Sequence, residues 1–429
     1  MLQASRSIRP ADGVLGGVTT ALVGCVVLAL CGCDISTSLR PMPVIYGPGG
    51  LELCSIIPES QRTRDLQVFY ATNRKPEGPP EHRKYGNDVG PSLRLGIATV
   101  QMGKDGDTWD SICQASSGRG GDPKFNLVRS AESSDAAPPW DAINRQLALT
   151  PNREVNIYVH GYYTSFDVAV ELLAKMLHCS GRRGVMVGFS WPARQNLYLY
   201  ADDVARARAS AHHLADLIEQ VATYTGAENI NLLSYSVGAT CATDALMELR
   251  RRHRDMTPEQ LARNLRIGNV IYAASDIDLV TFGREQIVEI KRLAQNVIVY
   301  VSQNDTILNM ASVAAGGDSR LGRPDVTKFT KEEQEAVAKD PQIQVIDVSD
   351  VPGPQGFGGL GGHYYWYTND WVMTDVLVGC RWQISPDQRG LYQKPGMSRW
   401  YFPKDYPERV TAAVKHLTIP TAGPVRAQR

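Results

Sequence analysis

Three side chains, widely spaced along the chain, have the types and the order that nucleophilic catalysis needs. Ser236 lies between an apolar run and a run with helical character, Asp305 follows the apolar run 296–301, and His363 follows two glycines. An imidazole can take the proton of a serine hydroxyl, and a carboxylate can orient the imidazole and stabilise its charged form. The sequence therefore predicts Ser236 as the nucleophile, His363 as the base and Asp305 as the acid.

The residues around Ser236 are typical of a sharp strand-to-helix turn. The segment 234–238 departs from the pattern Gly-x-Ser-x-Gly only at its first position, where the chain has Ser234 in place of glycine. Backbone crowding at such a turn requires small residues, and serine is small. The turn would expose the Ser236 hydroxyl above the sheet, with a helix over 239–251 behind it.

A second strand end predicts the groups that would stabilise a developing negative charge. The apolar run 155–159 is followed by His160, Gly161 and Tyr162. Glycine lets the backbone turn so that an N–H points into the site, and a further N–H follows the nucleophile. We therefore expect the backbone N–H groups of Tyr162 and Val237 to form an oxyanion hole.

Other acids and histidines compete for these roles. Asp276 and Asp278 follow the apolar run 269–274 and also lie at a strand end, so the identity of the acid stays open between them and Asp305. The remaining histidines lie in a charged loop, on predicted helices or in the C-terminal tail; they are His82, His178, His212, His213, His253 and His416. Because none has the spacing of a metal site with another His or Cys, no metal is expected.

Together these motifs resemble one bacterial family. The segments that carry the resemblance are 68–74, 160–162, 189–192, 234–238, 276–278 and 362–363, with Asp305. They are similar to an α/β-hydrolase family of esterase- and lipase-like proteins, labelled as a domain of unknown function and often found as lipoproteins. The resemblance spans 66–390, and the chain has Tyr235 where the family usually has histidine. It implies an α/β-hydrolase fold and the same roles for Ser236, Asp305 and His363.

The alternation of apolar and amphipathic segments predicts the same architecture. Strands are expected at 155–159, 185–190, 230–234, 269–274 and 296–301, after an opening pair at 66–72 and 95–102. A helix is predicted over 200–224, because its apolar residues form one stripe, and capping boxes at Thr257 and Thr330 begin two more. Alternating strands and helices give a mostly parallel central sheet with helices on both faces.

The N-terminal segment predicts export and a lipid anchor. Arg6 and Arg9 precede a largely apolar run over 14–30, and residues 30–33 resemble a lipobox with cleavage before Cys33. We expect a lipoprotein signal peptide over 1–32 and lipidation of Cys33, which would attach the protein to a bacterial membrane. Asp34 favours the periplasmic face of the inner membrane. An uncleaved transmembrane anchor is the alternative, since the apolar run is only slightly short for a span.

The remaining chain divides by composition. A tether is expected over 33–64, a hydrolase domain over 65–390 with a mobile insertion over 104–141, and a C-terminal extension over 391–429. The cysteines left after Cys33 are Cys54, Cys113, Cys179, Cys241 and Cys380, and since five is odd at least one is unpaired. Cys241, on the helix after Ser236, is expected to be a small core residue.

Charge and glycine spacing exclude two classes of ligand. Lys and Arg total 45, as do Asp and Glu, so the chain has no electrostatic case for nucleic acid. Gly356, Gly358 and Gly361 match the spacing G-x-G-x-x-G, but they lead into the aromatic run 364–367 and not into a clear helix. No dinucleotide and no other cofactor is therefore expected.

The sequence as a whole predicts a membrane-anchored serine hydrolase of carboxylic esters, with a small molecule or a lipid as substrate. The aromatic run 364–367, with Tyr162, Tyr163 and Trp191, would either form an apolar acyl pocket or pack in the core. Two other functions stay open. One is a peptidase or amidase that uses the same three side chains, and the other is an inactive hydrolase fold that serves as an envelope scaffold or binding lipoprotein.

Overall fold

The computed structural model describes residues 37–418, apart from 135, 197, 355, 358, 359 and 396. Eleven of the described strands form one sheet, and two short strands, β10 and β11, form a separate pair. The strands are β1 (Asp65–Glu77), β2 (Lys84–Met102), β3 (Phe125–Glu132), β4 (Glu154–Val159), β5 (Val185–Ser190), β6 (Asn229–Tyr235), β7 (Ile267–Ala273), β8 (Ala294–Val301), β9 (Ile343–Asp347), β10 (Gly356–Phe357), β11 (Leu360–Gly361), β12 (Tyr392–Gln393) and β13 (Trp400–Tyr401).

Helices occupy most of the connections between these strands. They are α1 (Leu53–Ile56), α2 (Trp109–Ser116), α3 (Trp140–Leu147), α4 (Phe166–Cys179), α5 (Tyr200–Ala209), α6 (Ala211–Tyr224), α7 (Gly238–Arg252), α8 (Pro258–Leu265), α9 (Leu279–Thr281), α10 (Ile287–Leu293), α11 (Thr306–Ala314), α12 (Lys331–Lys339), α13 (Tyr365–Thr368), α14 (Asp370–Arg381) and α15 (Tyr406–Thr418). A π-helical turn, Phe282–Gln286, joins α9 to α10, and 3-10 turns lie at Val44–Tyr46, Glu59–Gln61, Pro80–His82 and Val326–Lys328.

The sheet has a parallel centre with antiparallel edges. Its strand order is β12-β13-β9-β8-β7-β6-β4-β5-β1-β2-β3. Every neighbouring pair from β13 to β1 is parallel, whereas β2, β3 and β12 pair antiparallel. The sequence prediction of a mostly parallel sheet is therefore confirmed.

The direction in which strands are added reverses at β4. The chain places β5 on one side of β4 and then returns to place β6 on the other side, from which β7, β8 and β9 follow in order. In open α/β sheets, ligands bind in the crevice outside the carboxyl ends of the strands at such a reversal. The ends of β4 and β6 therefore border the expected crevice.

Both faces of the sheet are buried, because side chains alternate between them along each strand. Val155, Ile157 and Val159 of β4 pack in one apolar cluster with α6 and α7, whereas Tyr158 packs in a second cluster with α4 and α14. This arrangement explains why the central strands are nearly continuous apolar runs.

The helix predicted over 200–224 is divided at Ser210. The α5 helix ends at Ala209 and α6 begins at Ala211. The hydroxyl of Ser210 donates to the Arg206 carbonyl at 2.8 Å and accepts from the Asn73 amide at 2.9 Å. A serine that bonds back to the carbonyl four residues earlier competes with the helix and bends it. The two predicted capping boxes, at Thr257 and Thr330, are both formed.

The described residues of the predicted insertion over 104–141 include regular secondary structure. A capping box at Thr108 begins α2, and β3 extends the sheet by pairing with β2. Cys113 of α2 forms a disulfide with Cys54 of α1, with a Cα–Cα distance of 5.8 Å. These contacts order a stretch whose glycine and serine content is typical of a loop.

The described parts of the two predicted flanking segments, residues 37–64 and 391–418, also contain buried residues. Leu39 and Ile45, in the expected tether, are buried, and the N–H of Leu39 donates to the Pro123 carbonyl at 2.9 Å. At the other end, β13 pairs with β9, and Tyr406 and Val410 of α15 are fully buried. In α15 the buried residues Tyr406, Val410 and Val414 recur every four residues, which is the spacing of one helix face.

The N-terminal predictions concern a different part of the chain. The predicted signal peptide over 1–32 and the predicted lipidation site, Cys33, lie outside the described residues. Among the helices of residues 37–418, none combines the length and the apolar character that a membrane span requires.

Candidate active site

The turn from β6 to α7 holds Ser236 in a strained conformation. Its φ of 52° lies in the left-handed region, which serine rarely occupies. Two backbone hydrogen bonds hold it there: its N–H donates to the Ala273 carbonyl at 3.1 Å, and its carbonyl accepts from the Asp276 N–H at 3.3 Å. The neighbouring strand end therefore supports the turn that presents the hydroxyl.

Two glycines allow the backbone segments around Ser236 to approach closely. A Cβ on Gly238 would lie 2.2 Å from the His160 carbonyl oxygen, and one on Gly161 would lie 3.0 Å from the Cβ of Ser236. Ser234 replaces the first glycine of the usual pattern without conflict, because its buried hydroxyl donates to the Ile271 carbonyl at 3.2 Å.

The structure brings together the three side chains that the sequence predicts. His363 Nε2 lies 3.1 Å from Ser236 Oγ, and His363 Nδ1 lies 2.8 Å from Asp305 Oδ2. All three residues are buried. Since a carboxylate accepts hydrogen bonds, Nδ1 carries the proton, and Nε2 is left as an acceptor facing the serine hydroxyl.

Asp305 is held by a second contact. It caps α11, so that its Oδ1 accepts the N–H of Leu308 at 2.8 Å while its Oδ2 faces His363. Burial raises the pKa of Asp305, and the opposing effects of His363 and the Leu308 N–H favour the carboxylate. With both oxygens bound, the carboxylate has one orientation.

A glycine brings His363 to this place. Gly362 has a φ of 86°, and a Cβ on it would lie 2.5 Å from the backbone of Asn304. Only a residue without a side chain allows the histidine loop to lie against the segment that leads into Asp305.

The two competing acids make other contacts. Asp276 pairs with Arg320, with 3.2 Å between Oδ1 and Nε, and its Oδ2 accepts the Tyr200 hydroxyl. Asp278 caps α9 by accepting the Thr281 N–H at 2.7 Å. Within the described residues, the carboxylate that contacts the imidazole of His363 belongs to Asp305 and not to Asp276 or Asp278.

His160 is a fully buried structural histidine. Burial lowers the pKa of His160 to about 3, and the positive charge of Arg74 adds to this effect, so the ring is neutral. Its Nδ1 lies 2.8 Å from the Gly161 carbonyl, and its ring stacks on Trp191 at 5.1 Å.

The residues expected to supply the oxyanion hole are chain neighbours of Ser236 and of Gly161. Val237 immediately precedes α7, and Tyr162 follows Gly161, which abuts Ser236. The role of the Val237 and Tyr162 N–H groups as an oxyanion hole stays a prediction.

The aromatic residues near the site divide into two groups. Trp191, Tyr365, Trp366 and Tyr367 are buried in the core, which favours the packing interpretation for them. The remaining ones, Tyr162, Tyr163 and Tyr364, are only half-buried and lie next to Gly161 or His363.

Two groups near the site were not found by sequence reasoning. Arg320 and Tyr200 contact Asp276, and no local signal marks them. Arg74 is fully buried and contacts Ser190 and His160. Arg74 ends the segment 68–74, which contributes to the family resemblance, but the sequence analysis assigned it no role.

Other candidate sites lie apart from this cluster. A cavity of about 1550 Å³ lies between the N-terminal segment and α15, and its lining includes Met42, Val44 and Trp371 but none of the three clustered side chains. Within the described residues, no group of three or more His, Cys, Asp or Glu could hold a metal ion.

A sheet that reverses at β4, with a serine turn after β6, an acid after β8 and a histidine on a later loop, defines an α/β hydrolase. A family model described as an alpha/beta hydrolase of unknown function (DUF900) matches residues 136–381, which is more than half of the 429-residue chain. The protein belongs to this family, as its motifs predicted, and is a hydrolase. A comparison with curated proteins found no match.

Proposed function

We propose that the protein is a serine hydrolase that cleaves carboxylic (acyl) esters through an acyl-serine intermediate. The observation that carries the proposal is the buried contact of His363 with Ser236 Oγ at 3.1 Å and with Asp305 at 2.8 Å. These distances are those of hydrogen bonds that activate a nucleophile. The strained φ of Ser236 supports the same role, because backbone strain concentrates at functional sites.

In the first half of the reaction, His363 Nε2 takes the hydroxyl proton as Ser236 Oγ attacks the ester carbonyl. The backbone N–H groups of Tyr162 and Val237 stabilise the oxyanion that forms. The imidazolium then gives its proton to the departing alkoxide, and the acyl group stays on the serine. In the second half, His363 takes a proton from water as the water oxygen attacks the acyl carbonyl. The bond between the acyl carbon and Ser236 Oγ then breaks, His363 returns the proton to Ser236 Oγ, and the carboxylic acid leaves.

Asp305 acts through His363 in both halves. Its carboxylate fixes the ring so that Nδ1 carries the proton, and it stabilises the imidazolium after proton transfer. Because Asp305 is buried and its other oxygen binds the Leu308 N–H, this electrostatic effect operates at low dielectric and needs no rearrangement.

We also propose that the protein is exported and attached to a membrane through Cys33. The disulfide between Cys54 and Cys113 supports export, because disulfides persist in oxidising compartments. Radiolabelled palmitate should be incorporated into the wild-type protein and the Cys31→Ser control but not into the Cys33→Ser variant. Equal labelling of all three proteins would reject the lipid anchor.

The hydrolase proposal is tested by replacing Ser236, with Ser234 as the matched control. Ser236→Ala should lower turnover of a short activated ester by about 10⁶-fold and remove labelling by a fluorophosphonate. Ser234→Ala changes another buried serine of the same turn, and this variant should retain both ester turnover and fluorophosphonate labelling. Unchanged turnover in Ser236→Ala would reject the nucleophile.

Two further outcomes would identify the alternatives. Faster cleavage of amides than of the matched esters would indicate a peptidase or amidase. A correctly folded wild-type protein that reacts with no serine-directed probe would indicate an inactive scaffold.

A further inference from the structure

Arg74, near the end of β1, is a buried cation that joins four segments of the fold. Its guanidinium donates from Nε to Ser190 Oγ at 3.0 Å, from Nη1 to the Gly86 carbonyl at 2.9 Å, and from Nη2 to the Thr164 carbonyl at 2.9 Å. Nη2 also lies 3.4 Å from His160 Nε2. The side chain thus connects β1, β2, the end of β5 and the loop that follows β4.

This arrangement is costly, because the charge has no adjacent counter-ion. Within the described part of the chain, the Arg74 guanidinium forms no ion pair with a carboxylate. Asp203 and Asp167 attract it only from a distance, and burial lowers the pKa of Arg74 to about 9. The hydrogen bonds to Ser190, Gly86 and Thr164 therefore have to compensate for the buried charge.

The contacts of Arg74 fix both ends of the loop 160–164. At one end, His160 Nε2 lies 3.4 Å from Arg74 Nη2 and 3.1 Å from the Trp191 carbonyl oxygen, while His160 Nδ1 lies 2.8 Å from the Gly161 carbonyl oxygen. At the other end, Arg74 binds the Thr164 carbonyl immediately before Ser165 caps α4.

The middle of this loop needs such support. Tyr163 has a φ of 59°, a left-handed conformation that a bulky residue adopts only when its surroundings impose it. Gly161 abuts Ser236, so any shift of the loop changes its distance from the nucleophile. The Tyr162 N–H, the proposed oxyanion donor, lies between these two residues.

We propose that Arg74 is a positioning residue that sets the Tyr162 N–H relative to Ser236 Oγ. The expected effect of Arg74 on the reaction rate rests on the proposed function. Its expected effect on the order of the loop 160–164 does not. Hydrogen bonds at several points define the loop better than a single contact would, because the planar guanidinium has donors in a fixed geometry.

The test uses Arg74→Met, with Arg182→Met as the matched control. Arg182 is also a buried arginine that binds carbonyls, those of Gln61 and Thr63, and lies 3.2 Å from a buried histidine, His178. It precedes β5, at the amino edge of the sheet and opposite to the site. Both variants should lose thermal stability to a similar degree.

Only the Arg74 variant should change catalysis. We expect kcat for a short ester to fall by about 10²–10³, as on loss of one oxyanion donor, with KM changed less than about threefold. Affinity for a trifluoromethyl ketone, whose adduct carries an oxyanion, should fall by the same factor as kcat/KM. Amide exchange over 160–166 should become faster in Arg74→Met and stay unchanged in Arg182→Met. Arg74→Lys keeps the charge but lacks the planar set of guanidinium donors. This variant should therefore recover part of the loss in kcat, in inhibitor affinity and in protection from amide exchange.

The outcomes distinguish a failure of the positioning role of Arg74 from a failure of the proposed hydrolase function. A folded Arg74→Met variant with wild-type kcat and wild-type exchange over 160–166 would overturn the positioning role. If Arg74→Met does not fold, Arg74→Lys and Ser190→Ala give the same two readouts. If the wild-type protein cleaves no ester, the proposed function fails, and the exchange rates alone decide whether Arg74 orders the loop.

Discussion

Asp305 and His363 are 58 residues apart in the chain, and their side chains are joined by a buried hydrogen bond of 2.8 Å. The aspartate reaches this position because it ends the loop after β8 and caps α11. The histidine reaches it because Gly362 allows close approach to Asn304. The contact therefore depends on two backbone features, a helix start and a left-handed glycine, as much as on the side chains.

This contact predicts which acid supports catalysis. Asp305→Asn should lower kcat by about 10³–10⁴, because an amide nitrogen facing Nδ1 forces the other tautomer and removes the lone pair of Nε2. Asp276→Asn should lower kcat less than about tenfold, since its carboxylate binds Arg320 and Tyr200. Steady-state kinetics on a soluble ester measures both changes, with unfolding curves as the control. A larger loss in Asp276→Asn than in Asp305→Asn would assign the acid to Asp276.

A methyl group at Gly161 should disrupt the site. Its Cβ would lie 2.9 Å from the Tyr235 ring and 3.0 Å from the Cβ of Ser236, so the loop or the nucleophile must shift. We expect Gly161→Ala to lower kcat/KM by at least about 10², since a displacement of about 1 Å has effects of this size. Gly121→Ala is the control, because no atom lies within 4 Å of its added Cβ. Equal activity of the two variants would contradict the close approach.

The disulfide should contribute measurably to stability. The free energy of unfolding of the Cys54→Ser/Cys113→Ser variant should be lower by about 2–4 kcal/mol, because the bond restricts the unfolded chain. Denaturant unfolding with and without a reducing agent measures this difference. Reduction should bring the wild-type protein to the stability of the variant and leave the variant unchanged. An equal response of both proteins to reduction would count against the bond.

Glu154, at the start of β4, should make stability depend on pH. Burial raises the pKa of Glu154 from 4.5 to about 7, although the charge of Arg381 opposes the shift. The folded state therefore holds the proton more tightly than the unfolded chain does. The corresponding stabilisation is complete below pH 4.5 and is lost as the pH rises to 7, a difference of up to about 3 kcal/mol.

The Glu154→Gln variant should lack this part of the pH dependence. Urea unfolding at pH 5 and pH 8 should give a smaller difference in the free energy of unfolding for Glu154→Gln than for the wild-type protein. Replacement of the exposed Glu332 by Gln is the control and should leave the wild-type difference unchanged. The same difference in all three proteins would show that Glu154 is not protonated in the folded state at pH 5 to 7.

Most of the fold could be predicted from the sequence, because the central strands are long apolar runs with clear boundaries. The strands predicted at 185–190 and 296–301 correspond closely to β5 and β8. The division of the helix at Ser210 was missed, since the apolar stripe continues across it and the sequence does not show the contacts of Ser210 with Arg206 and Asn73. The packing of the segment around Leu39 was missed because its partners lie far away in the sequence, as with the contact of Leu39 and Pro123. The apolar period of Tyr406, Val410 and Val414 could have indicated the C-terminal helix.

The clustered side chains could be predicted because each lies at a strand end or follows a glycine. The choice between Asp305 and Asp276 stayed open in the sequence, since both follow strands. In the structure, Asp305 contacts His363, whereas Asp276 contacts Arg320 and Tyr200. The role inferred for Arg74 depends on segments far apart in the sequence, which no local pattern relates.

The φ of 52° at Ser236 means that the same residue that serves catalysis lowers the stability of the fold. Glycine would occupy the same backbone angles without steric conflict and would relax the turn by about 1 kcal/mol, but it has no hydroxyl. Selection for stability alone would therefore favour glycine at this position. The serine keeps the free energy of unfolding slightly below the value that the same fold could reach with glycine.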